Sequence, residues 1–484
     1  MARFCATWLV MSAFARFQPE QRHAELGPDF YDEVAAADFP KHILRYRNDR
    51  WAARVGLDTL TEAQWVDHFG RFTPLPGSLP APLALRYHGH QFRAYNPQLG
   101  DGRGFLFGQC RDLEDGRLLD FGTKGSGQTP WSRTADGRLT LKGGVREILA
   151  TEMLEALGVD TSKSFSLVET GEELWRGDEP SPTRSAVLVR LSHSHIRIGS
   201  FQRLLYLEQH DNIVRLMDHA IRHYLPEAWR ENTGERAVAF LDAVGRRVAA
   251  TGARWMLAGF VHGVLNTDNI NITGESFDYG PWRFTPVLDP AFTAAYFDET
   301  GLYAYGRQPD TLLWNMTRLA ECLLPFAPQA DLQKSLEGFA LVFRDCFNDA
   351  MLDRLGLQTV SPEADQELTA TVWRFLADSR VPFERFMFDW RGGDLSTQRA
   401  MESPIANYYA REDFKAARAL IEARDPISPT IVQDPYFERD GPCTMLIDAV
   451  EAIWKPIAAA DDWSAFDTKL RDIGGLRAVY SKST

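Results

Sequence analysis

The feature that most constrains this chain is a change in hydrophobic period near residue 200. From about 83 to 200 short β-like runs alternate with turns; beyond 200 the apolar residues recur at helical spacing. The expected strands are Gly104–Gln109, Leu118–Lys124 and Ser185–Leu191. One helix interrupts them near Gly144–Leu157, where Val145, Ile148, Leu149, Met153, Ala156 and Leu157 fall on one face. Amphipathic helices are expected at 201–224, 236–258, 310–325 and 331–355, with a short strand-rich insert at 268–297. Residues 1–82 read as an N-terminal extension and 362–484 as further helices with Pro-rich joints. The order is therefore a β-rich unit holding one helix (83–200), then a helical unit (201–361).

Several architectures fit that order, and a set of polar residues selects among them. The segment His262-Gly263-Val264-Leu265-Asn266-Thr267-Asp268-Asn269 falls on the protein-kinase catalytic-loop pattern H-R-D-L-x-x-x-N, with His262, Leu265 and Asn269 matching. Asp278-Tyr279-Gly280 follows where a kinase carries Asp-Phe-Gly. An amide oxygen and a carboxylate at those positions are hard ligands suited to Mg²⁺ on nucleotide phosphates. Upstream, Lys124 ends an expected strand and Glu147 lies on the expected helix, the pair that positions ATP phosphates in kinases. Each pair alone has a bland reading, a surface charge or a capped turn; the ordered set of five does not. The fold class is α+β, a bilobal protein-kinase-like fold with an N-terminal extension and an added C-terminal helical region. Asp120-Phe121-Gly122 also spells the metal triplet, but it precedes Lys124 on the same strand, so that spelling is coincidental.

The same alignment puts Val264 where the catalytic aspartate belongs, and a valine accepts no proton. Asp268, one residue before Asn269, is the carboxylate left to serve as base. Three further groups are candidates for holding phosphates: the loop Gly100-Asp101-Gly102-Arg103-Gly104, the pair Asp136-Gly137, and Arg190 with Arg197. His193 and His195 read as structural, having no third ligand nearby.

At this point the residues resemble the selenoprotein O (YdiU) family of protein adenylyltransferases, formerly classed as pseudokinases. The words that carry the resemblance are RYHGHQF…PQLGDGRG at 86–104, GTKGSGQTPWSR at 122–133, DGR at 136–138, SHIRIGSF at 194–201 and HGVLNTDN…DYGP at 262–281. The resemblance implies ATP bound flipped relative to ordinary kinases, so that AMP passes to a protein Ser, Thr or Tyr hydroxyl and pyrophosphate leaves. It implies Asp268 as proton acceptor and Asn269 and Asp278 as Mg²⁺ ligands, with Mn²⁺ and uridylyl transfer as a variant. It implies a nucleotide lined by Gly100, Gly102, Arg103, Lys124 (paired with Glu147), Asp136, Gly137, Arg190, Arg197 and Asp278. Two departures stand out: Leu141-Lys142-Gly143-Gly144-Val145-Arg146-Glu147 replaces the family's Leu-Arg-Ser-Ser-Ile-Arg-Glu, and the sequence ends without its C-terminal cysteine or selenocysteine motif.

The competing readings are a catalytically silent ATP-binding scaffold, motivated by Val264, and a small-molecule phosphotransferase. A net charge of −13 over 484 residues argues against nucleic acid or an anionic membrane as partner. Five scattered cysteines suit a reducing compartment. The apolar run at residues 5–14 is short, leads into Arg16 and offers no clear cleavage site, so the expected location is the cytoplasm.

Overall fold

In the computed structural model, which describes residues 13–133, 136–177 and 179–481, apolar alternation before residue 200 becomes an antiparallel sheet. The apolar run at 5–14 lies outside the described residues except for its last two. The strands are β1 (Pro19–Glu20), β2 (Tyr31–Glu33), β3 (Ile43–Arg47), β4 (Leu83–Leu85), β5 (Gly89–Gln91) and β6 (Ala94–Asn96). They continue with β7 (Leu106–Arg111), β8 (Leu118–Lys124), β9 (Leu139–Thr140), β10 (Lys163–Leu174) and β11 (Thr183–Ser192). The main path runs β2-β4-β7-β8-β11-β10-β3, with β1 on β7 and β9 on β11; β5 and β6 form a separate hairpin.

Residues 19–47, within the segment read as an extension, thus supply three strands to this sheet. Trp65 explains how the adjoining residues attach. It is fully buried, stacks on Phe165 with ring centroids 4.8 Å apart, and donates from its indole N–H to Ser166 Oγ at 2.9 Å. Asp120 and Phe121 lie inside β8, with Gln109 Nε2 donating to the Asp120 carboxylate at 2.7 Å.

The interrupting helix spans Leu141–Ala156, three residues earlier than the apolar period begins, because Thr140 Oγ1 caps the Gly143 N–H at 3.1 Å. A Cβ on Gly144 would meet Leu167 Cδ1 at 2.4 Å, so the small residues that distinguish this helix start let it close onto β10. It also carries buried Glu152, which is ion-paired with Arg477 of the C-terminal helix Ser464–Ser481.

Beyond β11 the chain is helical, with major helices at Thr233–Leu257, Gln308–Leu323 and Gln329–Leu355 near the expected bounds. The expected helix 201–224 is two helices, Ile198–Tyr206 and His210–Tyr224. Glu208 breaks it by adopting φ +56°, a left-handed conformation incompatible with a continuous helix. The insert at 268–297 holds a single strand, β13 (Trp282–Phe284), paired with β12 (Phe260–His262). The Asn/Thr/Asp-rich text there makes side-chain turns instead, as where Asn271 Oδ1 accepts the Thr273 N–H at 3.1 Å. No helix among the described residues is long and apolar enough to cross a membrane.

Trp65→Ala is expected to cost about 3–5 kcal/mol in urea unfolding. A loss below about 1 kcal/mol would mean that residues 50–70 hang on the sheet rather than belong to it.

Candidate active site

Register places the first two cations. In the β8–β11 ladder Lys124 opposes Leu188 and Gly122 opposes Arg190, and side chains alternate with period two, so Lys124 and Arg190 share a face. That face meets the Leu141–Ala156 helix, where Lys124 Nζ lies 2.7 Å from Glu147 Oε2 and Arg190 Nη1 lies 3.4 Å from Glu147 Oε1. From the helical side, Asp278 Oδ1 comes within 3.2 Å of Lys124 and 3.3 Å of Arg190. Two cations and two carboxylates from four separate segments thus close on one another, all of them largely buried.

Asp278 is held at φ +62°, a sparsely populated conformation for a side-chain-bearing residue, which the converging ion pairs sustain. Burial alone would push its carboxyl up. Lys124, Arg190, Arg197 and Arg103 outweigh that and hold it well below the usual carboxylate range.

The quartet borders a cavity of about 260 Å³ whose lining includes Gly100, Gly102, Arg103, Asp136, Arg197 and Val264, together with Asp268, Asn269 and Asp278. The structure therefore brings together every sequence-selected residue except three that stand behind the wall, Glu147, Gly137 and His262. Glu147 reaches the cavity through Lys124, and Gly137 shapes the turn behind Asp136 with φ +83°, its carbonyl accepting the Gly127 N–H at 3.1 Å. Gly100 and Gly102 are required by packing: a Cβ would sit 2.4 Å from the Trp131 ring or 2.5 Å from the Trp131 carbonyl oxygen. Arg103 is more than half exposed and touches Asp136 at 3.4 Å, free to swing toward a ligand.

The catalytic-loop segment is fixed by its own polar atoms. Buried His262 pairs through Nε2 with the Phe277 carbonyl at 3.2 Å and through Nδ1 with the Val264 N–H at 3.3 Å. That pattern assigns the proton to Nε2, and burial pushes the imidazole below its ordinary value, so it stays neutral. Asn269 Nδ2 donates to the Val264 carbonyl at 3.0 Å, which leaves its amide oxygen for other work. Val264 presents only methyl groups to the cavity.

Asp268 has no ion pair on its carboxylate among the described residues. Its Oδ1 is buried with no hydrogen bond, while Arg197 Nη1 donates to its backbone carbonyl at 3.0 Å. Burial pushes its carboxyl up to about 6, against the attraction of Arg197. Gly89 stands behind it, where a Cβ would come 3.1 Å from Oδ1. Asp101 across the cavity is likewise pushed up to about 6 by burial.

Sequence reasoning passed over several wall residues. Tyr87 stacks under the Arg197 guanidinium, 4.3 Å from its ring centroid, and Phe277 does so at 4.9 Å. Asn266 Oδ1 accepts the Phe92 N–H at 3.1 Å and the Tyr303 hydroxyl at 2.7 Å, tying the β5–β6 hairpin to the loop. Tyr87, Trp131 and Asn266 all lie inside the matched sequence words, which were the available signal. His193 and His195 are buried in structural roles, and no group of three or more His, Cys, Asp or Glu residues suited to a metal occurs among the described residues.

The sequence model of the protein adenylyltransferase SelO family matches residues 13–473. The protein nucleotidyltransferase YdiU of Gloeobacter violaceus is 46% identical over 478 residues, covering 96% of this chain and 95% of that one. Its namesake from Synechocystis sp. is 43% identical over 471 residues, covering 91% and 94%. A solved structure, ROP2 from Toxoplasma gondii, described as a virulence factor with a protein-kinase fold and no enzymatic activity, aligns over 70% of this chain and 83% of its own at 12% identity and TM-score 0.25. Asp278, on the loop after β12, meets Lys124 and Arg190 and so joins the helical part to the Lys124–Glu147 pair of the β-rich part. The chain is a nucleotidyltransferase, and it belongs to the protein adenylyltransferase SelO family.

One consequence concerns stability. A carboxyl whose folded value is raised lets the native state hold an extra proton between about pH 4 and pH 6. Its contribution is full below the unfolded value and is lost as pH rises through about 6. Asp268→Asn removes that loss, so the variant should gain up to ~3 kcal/mol over wild type near pH 8 and much less near pH 4.5, measured by denaturant unfolding. Equal differences at both pH values would contradict the assignment.

Proposed function

We propose that this enzyme transfers AMP from ATP to Ser, Thr or Tyr hydroxyls of proteins, with ATP flipped relative to ordinary kinases and pyrophosphate released. The observation that carries the reading is the pairing of Val264 with Asp268. The ordinary base position is apolar, while a buried carboxylate one residue before Asn269 faces the same cavity.

In this reading the acceptor hydroxyl oxygen attacks the α-phosphorus, its proton passes to the Asp268 carboxylate, and the bond to the bridging oxygen of the β-phosphate breaks. A carboxyl raised to about 6 is mostly ionised at neutral pH yet basic enough to take that proton. Lys124, anchored by Glu147, and Arg190, Arg197 and Arg103 gather positive charge in an otherwise acidic protein for the polyphosphate. Gly100 and Gly102 keep the loop close enough for backbone N–H groups to approach the phosphates.

The donor set fits a hard divalent cation. The Asn269 amide oxygen is free because its nitrogen is engaged, and the ionised Asp278 offers the carboxylate oxygen not held by the two cations. Mg²⁺ takes a few protein oxygens plus phosphate oxygens, and Mn²⁺ accepts the same ligands. When bound, the ion would neutralise charge developing on the phosphates. Asp278 also sits against Lys124 and Arg190, so its loss would disturb phosphate and metal together. The acceptor is protein, as the names of the family and its relatives state for those proteins.

With protein acceptor and Mg²⁺, label from α-labelled ATP should enter protein and label from γ-labelled ATP should not. Incorporation from γ alone would overturn nucleotidyl transfer, and ATP-dependent thermal stabilisation without incorporation would favour the silent scaffold. Asp278→Ala should abolish incorporation and Asp268→Ala should lower it about 10²–10⁴-fold. The wild-type rate should climb with pH through an apparent value near 6, and that limb should vanish in Asp268→Asn.

A further inference from the structure

Beside the cavity, on the helical side, three large aromatic side chains stand in solvent: Tyr296 is 84% exposed, Phe297 45% and Phe92 41%. They form one surface. Tyr296 and Phe297 meet edge to face at 5.2 Å, and Phe297 meets Phe92 at 5.9 Å. Phe297 also lines the cavity that holds Asp268, so the aromatic surface runs directly into the reaction site.

The surface is built rigidly from two sources. The β5–β6 hairpin turns through Phe92 and Arg93, both at positive φ (50° and 64°), which directs Phe92 against Tyr303 at 5.1 Å. The Asp298 carboxylate accepts the Leu302 and Tyr303 N–H groups, each at 2.8 Å, and so ties down the loop that displays Tyr296 and Phe297. Phe92 N–H and the Tyr303 hydroxyl then converge on Asn266, two residues before Asp268. The aromatic surface and the base are therefore parts of one hydrogen-bonded unit.

We infer that this aromatic shelf docks the acceptor polypeptide, seating an apolar side chain within a few residues of the hydroxyl that is modified. The inference rests on the transfer reading above. An acceptor must bring its hydroxyl to Asp268, and the polyphosphate cations Lys124 and Arg190 come from the sheet, leaving the helical side for the protein. Exposed aromatics provide large contact area with few rotors to freeze, which is how short polypeptide segments are held. Exposed Arg93 and Glu299 flank the shelf with opposite signs, so it presents no single charge and selection falls on its apolar surface.

The test uses the full chain, α-labelled ATP and synthetic peptides carrying one Ser, with Phe, Leu, Gly or Asp placed at each flanking position in turn. Wild type should favour Phe or Leu at one offset by about tenfold in kcat/KM, the value of one buried apolar side chain. Tyr296→Ser should erase that preference by raising KM, with ATP affinity and kcat unchanged, and Tyr296→Phe should keep it. Equal labelling of all peptides by wild type, or a preference kept in Tyr296→Ser, would overturn the shelf. So would a change of native mass from dimer to monomer in Tyr296→Ser, which would make the surface a contact between copies of this chain. If α-label enters no peptide and no protein of a whole-cell extract, the transfer reading itself fails and takes the shelf with it.

Discussion

Everything at the site depends on the charge quartet of Lys124, Glu147, Arg190 and Asp278. Its members come from β8, the Leu141–Ala156 helix, β11 and the loop after β12, so the quartet joins the sheet to the helical part. Balanced as two cations and two carboxylates, it is tolerable in a buried setting; with one member removed, the remainder is an uncompensated buried charge. Because Glu147 and Asp278 hold Lys124 from opposite sides, the helix cannot shift without disturbing the loop. Gly144, packed on Leu167, and the Arg477–Glu152 contact two turns further along the helix hold it in the paired position.

The quartet also sets the chemistry. It fixes Asp278 as an ionised carboxylate and leaves Asp268, ten residues earlier, without a cation on its side chain. Two aspartates in one cavity are thereby driven in opposite directions, one well below the usual range and one up to about 6. Such a separation of neighbouring carboxyls is how a site assigns one to bind and the other to move protons. Under the proposed transfer Asp278 takes the binding role and Asp268 the proton, with Val264 leaving the ordinary base position apolar.

Much of this was legible in the sequence because the chemistry needs particular residue types at fixed spacing. Lys124, Glu147, Asn269 and Asp278 are far apart in sequence yet ordered as the fold demands, and strand β8 was readable from its residues alone. What escaped notice were features set by packing. The strands within 19–47 are short and become strands only by pairing with β4, β7 and β10. The break at Glu208 rests on a single left-handed residue that helical periodicity does not register. The insert at 268–297 carries β-branched residues but spends them on side-chain turns around the loop. Tyr87 and Asn266 act through a ring face and an amide oxygen, and neither gives a signal without its neighbours.

The central claim is that the bond broken in ATP lies between the α- and β-phosphates. Analogues that differ only in which bridge resists cleavage test it most directly. With a β,γ-imido analogue of ATP the enzyme should still modify protein, and with an α,β-methylene analogue it should bind but not react. Modification that persists with the α,β-methylene compound and stops with the β,γ-imido compound would contradict the account.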